Sequence, residues 1–372
     1  MRTLILTCNT GEGHNSTAAA ICEVFIQNGE FCEMRESLQF ASIRFSKIIG
    51  KGHVGIYRHY PKLFNKGYSM SEKHDSYFAE GSLLYKILTR GTKKLYDYIV
   101  ENSIDNIICV HPFAALLVSK LRKEYDISIS TSLVATDYTC APSTNCSTMD
   151  RYFIPHELLK DEFEKCGIPR DKLFASGIPV KQSFFGINNK ENSRMILGLP
   201  QDKKILVMCC GSMGCGPMKK VASKICELSD DNTLTIVICG SNKKLYNSLQ
   251  PQQTKKFFVI GYTKQMCEYM QACDVFVTKP GGISTTEAAV LGKPMVFINA
   301  VAGCELRNKL FFEKTNCAVT VCSNDDVPNA ALQLLDNIDS CNGFTDRIKK
   351  TIRRNGAVYI YDYLENSKEA TV

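Results

Sequence analysis

Nowhere does this chain carry an uninterrupted run of eighteen apolar residues, so no segment reads as a membrane-spanning helix. The apolar stretch Leu4–Thr7 follows Met1-Arg2-Thr3 directly and is too short for the core of a signal peptide. Eighteen cysteines are present, yet none forms a Cys-x-x-Cys pair, which removes the common zinc and redox motifs. Scattered as they are, they read as small buried hydrophobes in a reducing cytosol. Cys209 and Cys210 are adjacent within an expected strand and point to opposite faces, so neither a disulfide nor a shared metal is expected there. No Gly-x-Gly-x-x-Gly with a later acid follows a first strand, which argues against hydride transfer, and no glycine loop has P-loop spacing. An acidic metal-binding cluster, a fixed-period repeat and a low-complexity tract are absent as well, and no metal is expected.

What is there is an α/β pattern. Apolar residues make up 44% and charged residues 22% of 372, the composition of a globular chain long enough for two domains. Strand-like segments end repeatedly in turn residues and alternate with helical stretches: Thr3–Cys8, Ile104–Val110, Ile127–Ala135, Arg151–Ile154 and Leu173–Ala175 in the first half. The second half repeats the pattern at Lys204–Cys210, Leu234–Cys239, Phe257–Ile260, Asp274–Thr278 and Met295–Asn299. Such alternation implies parallel sheets with helices on both faces, and two Rossmann-like domains facing across a cleft. Gly186–Ser193 (GINNKENS) is the expected linker. The expected division is residues 1–186, an acceptor and membrane-facing domain; 187–345, a nucleotide-sugar domain; and 346–372, a closing helix (near Phe344–Asn366) packed back toward the first domain.

The net charge of +7 is unevenly placed. Between Ala41 and Leu95 eleven Lys or Arg, including Lys47, Lys51, Lys62 and Lys66, stand against three acids, a surplus of eight. Phe45, Ile48, Tyr57, Leu63 and Tyr68 interleave with them. A basic, aromatic segment suits an anionic membrane surface or a nucleic acid; a solvated helical face is the plainer reading. No nucleic-acid motif accompanies it, so a nucleic-acid role ranks last.

Four strand-end loops carry the chemistry. In Cys8–Ser16, Gly11 and Gly13 let backbone approach a ligand, and His14 lies near a helix N-terminus, where the dipole disfavours imidazolium and keeps a base neutral. Asp137, after the Ile127–Ala135 strand, is placed to orient His14, to bind an acceptor hydroxyl, or to cap a turn. Gly211-Ser212-Met213-Gly214 is able to set N–H groups and a hydroxyl on a phosphate. In Lys279–Asn308 a strand, a Gly-Gly turn and a helix opening on Ser284, Thr285 and Thr286 make an anion site at a helix start, with Glu287 in its first turn. An ordinary βαβ unit with a Ser/Thr N-cap and Glu at N3 is the alternative.

These residues carry a resemblance. TCNTGEGHNSTAAAI, TDYT with DRYFIPHELLKDEF and LFASGIPV, and KPGGISTTEAAVLGKPMVFINAVAGCELRN look like the monogalactosyldiacylglycerol synthase and processive diacylglycerol glucosyltransferase family, across nearly the whole chain and in order. More distantly, the chain is similar to the N-acetylglucosaminyltransferase that completes the lipid-linked peptidoglycan precursor. The resemblance implies a GT-B, family-28-like, inverting enzyme that moves a hexose from a UDP-sugar to diacylglycerol or a related lipid. No cofactor or metal is implied, and the enzyme would be cytoplasmic and peripherally bound to an anionic membrane. By position, Ser212, Gly282, Ser284 and Thr285 would hold the diphosphate, Tyr262 and Thr263 the uracil, and Glu287 the ribose. Cys304, Glu305 and Asn308 would meet the donor sugar, and His14 would be the general base. Three departures stand out. Glu12 replaces a family glycine, Cys304 a family glutamine, and Cys140–Asn145 an aromatic Pro-Phe-Trp type segment, in a chain with no tryptophan. A different lipid-linked or soluble acceptor, and a nucleotide-sugar-binding regulator without turnover, are the alternatives.

Overall fold

The computed structural model describes residues 1–9, 11–73, 75–186, 189–299, 303–338 and 342–369. The chain divides into two compact units: Met1–Gln182 with Ala302–Cys304 and Arg354–Val372, and Ser183–Val301 with Glu305–Arg353.

The first unit runs β1 (Arg2–Thr7), α1 (Glu12–Gln27), β2 (Phe31–Glu36), α2 (Ile43–His59), α3 (Pro61–Lys73), α4 (Leu83–Leu88), α5 (Thr92–Glu101), β3 (Asn106–Cys109), α6 (Pro112–Glu124), β4 (Ser130–Val134), β5 (Arg151–Ile154), α7 (Lys160–Lys165) and β6 (Leu173–Ala175). Its six strands are parallel, in the order β2-β1-β3-β4-β5-β6. The second runs α8 (Lys190–Ile196), β7 (Lys204–Cys209), α9 (Met218–Leu228), β8 (Thr233–Ile238), α10 (Lys243–Leu249), β9 (Phe257–Ile260), α11 (Met266–Ala272), β10 (Val275–Thr278), α12 (Gly282–Val290), β11 (Met295–Phe297), α13 (Cys304–Lys314), α14 (Val327–Asp336) and α15 (Asn342–Thr351). Its sheet is also parallel, ordered β11-β10-β7-β8-β9.

Central strands are continuously apolar, as a sheet covered on both faces requires: Leu4–Leu6 and Ile205–Met208 are wholly buried. In each sheet the strand order reverses beside the first strand, between β1 and β3 and between β7 and β10. There the following helices leave toward opposite faces, opening a crevice at the carboxyl ends of those two strands.

Three sequence expectations are corrected. An edge strand, β2, occupies Phe31–Glu36, where FCEMRE offered no apolar run; it is recognised by pairing with β1 rather than by composition. Of the expected linker, residues 187 and 188 lie outside the described residues, and the rest is not a free connector. Asn189 caps α8 through the Asn192 N–H (2.8 Å), and Ser193 and Arg194 are buried. The Arg194 guanidinium donates to Asp274 and to the Ala272, Gln201 and Lys203 carbonyls, at 2.9–3.0 Å.

Third, the single closing helix is two. After α15 the chain turns at residues 352–355 and restarts as α16 (Gly356–Glu369). Asn355 Oδ1 accepts from the Val358 N–H (3.3 Å), its amide donates to Gln182 Oε1 (3.0 Å), and Arg354 bonds the Ala175 carbonyl. A Cβ on Gly356 would stand 2.6 Å from the Gly177 carbonyl oxygen, so the two glycines permit this crossing. Beyond it, Ala357, Ile360 and Leu364 join Ile5, Ala18, Val24 and Phe25 in the first unit's core.

Candidate active site

In the first unit the loops after β1 and β3 meet at the reversal of strand order. Thr7 Oγ1 donates to Asn15 Oδ1 (2.8 Å), tying the end of β1 to the first turn of α1. That turn makes His14 the third helical residue, behind an N-cap, Gly11, without a capping side chain. His14 Nδ1 lies 2.9 Å from the Val110 carbonyl oxygen and 3.1 Å from Thr136 Oγ1. A carbonyl only accepts, so Nδ1 carries the proton and Nε2 holds the lone pair. The ring also meets His111 edge to face, centroids 4.6 Å apart at 71°. His111 in turn caps α6, its Nδ1 accepting from the Phe113 N–H at 3.0 Å.

Burial takes the His14 pKa from 6.5 down to about 4, against the raising influence of the Val110 carbonyl and with a lowering one from His53. Burial first, then His14 and His53, pushes His111 well below the usual value. His53, on α2, is lowered by burial. The ring of His14 is therefore neutral at physiological pH.

The Nδ1 side of His14 is occupied by Val110 and Thr136, which orient the ring. Asp137 is half-buried in the same loop. That loop is fixed one turn on, where Thr139 Oγ1 and the Cys140 N–H donate to Glu162 Oε1 at 2.5 and 2.9 Å. Thr136, Val110 and His111 were missed as candidate site residues; the Val110-His111-Pro112 strand end was the signal for the last two.

In the second unit the loops after β7 and β10 meet at the corresponding reversal. Gly211 to Gly214 forms a turn closed by the Gly214 N–H on the Gly211 carbonyl (3.1 Å), while the Ser212 carbonyl accepts from the Ser241 N–H (2.8 Å). Gly211, Gly214 and Gly240 have φ of +72°, +54° and +57°. A Cβ on Gly214 would lie 2.2 Å from the Cys239 carbonyl oxygen, so no other residue fits there. Ser212 is half-buried, and Tyr262 and Thr263 follow β9, with the Tyr262 side chain exposed.

Helix α12 opens at Gly282 with Gly281 as an N-cap that offers no capping side chain. This overturns the Ser/Thr N-cap reading. Thr285 and Thr286 are buried and their hydroxyls turn back to the Gly281 and Gly282 carbonyls, at 2.7 and 2.6 Å. The first N–H groups of the helix, at Gly282, Ile283 and Ser284, have no acceptor inside it, which is the condition for anion binding. Glu287 is the sixth helical residue, in the second turn rather than the first. Its carboxylate bears on Cys209 at the end of β7, whose thiol is pushed up to about 12 by burial first and Glu287 second among the raising influences.

Cys304 and Glu305 open α13. Glu305 Oε1 pairs with Lys279 Nζ at 2.7 Å, and both side chains are largely buried. Asn308 has no exposed surface and donates to the Pro280 carbonyl at 3.0 Å, so it acts by holding the turn that leads into α12. Lys279 was the residue of this cluster that sequence reasoning left without a role. On the exposed faces of α2 and α3 lie Lys47, Lys51, Lys62 and Lys66.

Two parallel-sheet α/β units in tandem, each with its polar cluster at the reversal of strand order, define the GT-B class of fold. Residues 14–180 match the monogalactosyldiacylglycerol synthase family model, and residues 205–354 the glycosyltransferase family 28 C-terminal domain. The chain belongs to this family of glycosyltransferases, which holds the monogalactosyldiacylglycerol synthases and the processive diacylglycerol glucosyltransferases. It is 27% identical to the processive diacylglycerol beta-glucosyltransferase of Bacillus mycoides, covering 99% of this chain and 95% of that one. Among solved structures it is similar to MurG of Acinetobacter baumannii (13% identity, TM-score 0.64, covering 98% and 99% of the two chains). It is similar also to a putative UDP-N-acetylglucosamine 2-epimerase of Listeria monocytogenes (14% identity, TM-score 0.65, 100% and 98%). The last two likenesses establish the fold alone.

Proposed function

We propose that this protein is an inverting glycosyltransferase that moves a hexose from a UDP-sugar to diacylglycerol or a related membrane lipid. The observation that carries the reading is the state of His14: Nδ1–H donated to the Val110 carbonyl and a neutral Nε2 left to accept a proton. As the acceptor hydroxyl attacks the anomeric carbon in line, the new C–O bond forms and the bond to the diphosphate oxygen breaks. The hydroxyl proton passes to His14 Nε2, a role worth about 10²–10⁴ in rate. Asp137, beside Thr136, binds the acceptor.

The second unit holds the donor. Ser212 and the N–H groups of Gly282, Ile283 and Ser284 receive the diphosphate, and the helix dipole favours the charge that grows as UDP leaves. Thr285 shapes that helix start from within. Tyr262 and the Thr263 backbone flank the uracil, and Glu287 takes the ribose hydroxyls. Cys304 and Glu305 meet the sugar, with Asn308 behind them. No metal enters this scheme, so activity in EDTA should stay within about twofold of that without it, fixed protein dipoles and charges stabilising the leaving group. The basic α2–α3 segment brings the enzyme to anionic lipid.

The curated relative's name, a diacylglycerol beta-glucosyltransferase, supports glucose as donor sugar and diacylglycerol as acceptor. The test is mass spectrometry of the lipids formed when the purified protein meets diacylglycerol vesicles and an equal mixture of UDP-glucose, UDP-galactose and UDP-N-acetylglucosamine. A glucosyl-diacylglycerol is expected. Bound UDP with no glycolipid from any donor would overturn catalysis in favour of a nucleotide-sugar sensor.

A further inference from the structure

The ammonium of Lys279 sits where the second sheet's strand order reverses, and none of the steps above uses it. It follows β10 directly, with its side chain 14% exposed, and pairs at 2.7 Å with Glu305, whose side chain is 5% exposed. A Cβ on Gly211 would fall 3.1 Å from Lys279 Cε and 3.8 Å from Nζ, and one on Gly281 would fall 3.9 Å from Cε. The charge is thus packed under the turn that follows β7 and beside the residue that caps α12. Those are the two segments that meet where the strand order reverses, between β7 and β10.

Stability gives no reason for such a pair. Two charges taken out of water cost more in desolvation than apolar residues of the same volume, and replacing a buried pair whole is commonly neutral or stabilising. A ligand that arrives with negative charge at this spot gives a reason.

We propose that Lys279 is a further donor-binding residue: its ammonium is the fixed cation of the nucleoside-diphosphate subsite, held ready beneath Gly211 by Glu305. The inference rests on the nucleotide-sugar reading and deepens it. Before the donor binds, Glu305 neutralises Lys279 and holds its Nζ in place. When the diphosphate lies on the α12 N-terminus, Lys279 donates to a phosphate oxygen, and it remains there as the bond to the sugar breaks and charge moves onto UDP. A lysine suits a phosphate as a compact point charge. It supplies, from the chain itself, the cation that offsets the leaving group. At Gly211, whose φ of +72° already favours glycine, a Cβ would also crowd the lysine stem.

The test compares UDP with uridine by calorimetry on the full chain, because the two differ only in the diphosphate. Lys279→Met alone strands a buried carboxylate, so the paired variant Lys279→Met with Glu305→Met is used beside it, and Lys279→Arg serves as the conservative change. Neither probe carries the transferred hexose, so a contact from Glu305 to that sugar does not enter. In both Met variants UDP affinity is expected to fall about 10- to 100-fold, the worth of one hydrogen bond to a charged group. Uridine affinity should stay within about twofold, and Lys279→Arg should recover part of the loss. Parallel losses of UDP and uridine would mean a structural role and overturn the proposal. So would a paired variant that binds UDP like the wild type, leaving the nucleotide-sugar reading intact. A wild type that binds UDP no better than uridine would overturn that reading and this proposal together.

Discussion

At the scale of the residue, the state of one imidazole decides the chemistry. His14 is neutral because burial, far more than the neighbouring His53, brings its pKa to about 4. The sign for activity follows: a base is lost by protonation, so the acid limb of kcat/KM should fall near pH 4, and an acid limb at about 6.5, the ordinary histidine value, would contradict the assignment. The sign for stability runs the same way. Between about 4 and 6.5 the unfolded chain binds a proton at this position that the folded chain refuses, so stability falls as pH drops through that window. His53 and His111, also lowered by burial, add to the slope. Thermal unfolding should therefore occur at lower temperature at pH 5 than at pH 7, with His14→Gln lessening the drop. Replacing His14 by Ala should cut kcat by about 10²–10⁴ while UDP affinity stays unchanged if, as proposed, the donor binds to the second unit. His14 was legible in the sequence because a glycine loop after a strand announces a ligand position. Thr136 was not. Its contact with the ring joins residues 122 positions apart, and no local spacing in the sequence marks a hydroxyl for such a contact.

At the scale of the element, glycine and edge strands explain what was legible. Strands read as continuous apolar runs were found because a doubly covered parallel sheet demands them; β2, paired on one side with three charged residues among its six, gave no such run. In α12 the buried hydroxyls of Thr285 and Thr286 imitate a cap in the sequence while bonding backward in the helix. The break before α16 was hidden for a similar reason: residues 352–355 contain no proline, and the turn is marked by long-range bonds of Arg354 and Asn355 and by the close approach of Gly356 to Gly177. This junction makes a prediction. Leu364 is buried in the first unit's core, so Leu364→Ala should cost about 2–5 kcal/mol in chemical denaturation. Gly356→Ala puts a methyl against the Gly177 carbonyl and should destabilise the same unit. Unfolding midpoints equal to wild type in both variants would show that α16 is not part of that core.

At the scale of the whole molecule, charge and exposed apolar surface are concentrated in one segment, and their coincidence argues for a membrane surface over a merely solvated face. No helix among the described residues is long and apolar enough to cross a bilayer. Solvated helices usually carry charge outward and keep isoleucine in. Here Ile43 and Ile48 share the exposed face of α2 with Arg44, Lys47 and Lys51, and Leu63 and Met70 share that of α3 with Lys62 and Lys66. Leu83, at the start of α4, is 75% exposed beside a shallow apolar recess lined by Tyr77, Leu84 and Ile87. Each basic residue near an anionic surface contributes about 1 kcal/mol, so the segment's surplus of eight is ample to hold the protein without an anchor. Partly exposed isoleucine and leucine side chains add about 1.5–3 kcal/mol each if fully buried among acyl chains. The two contributions separate by salt, because the charge part is screened over about 8 Å at physiological ionic strength and the apolar part is not. Changing Lys47, Lys51, Lys62 and Lys66 together to Gln should abolish co-sedimentation with anionic vesicles at low salt while UDP binding persists. Changing Ile48 and Leu83 to Ser should instead weaken the salt-resistant remainder. Undiminished sedimentation of the lysine variant would leave the segment as an ordinary solvated face, and the enzyme would have to reach its lipid by another surface.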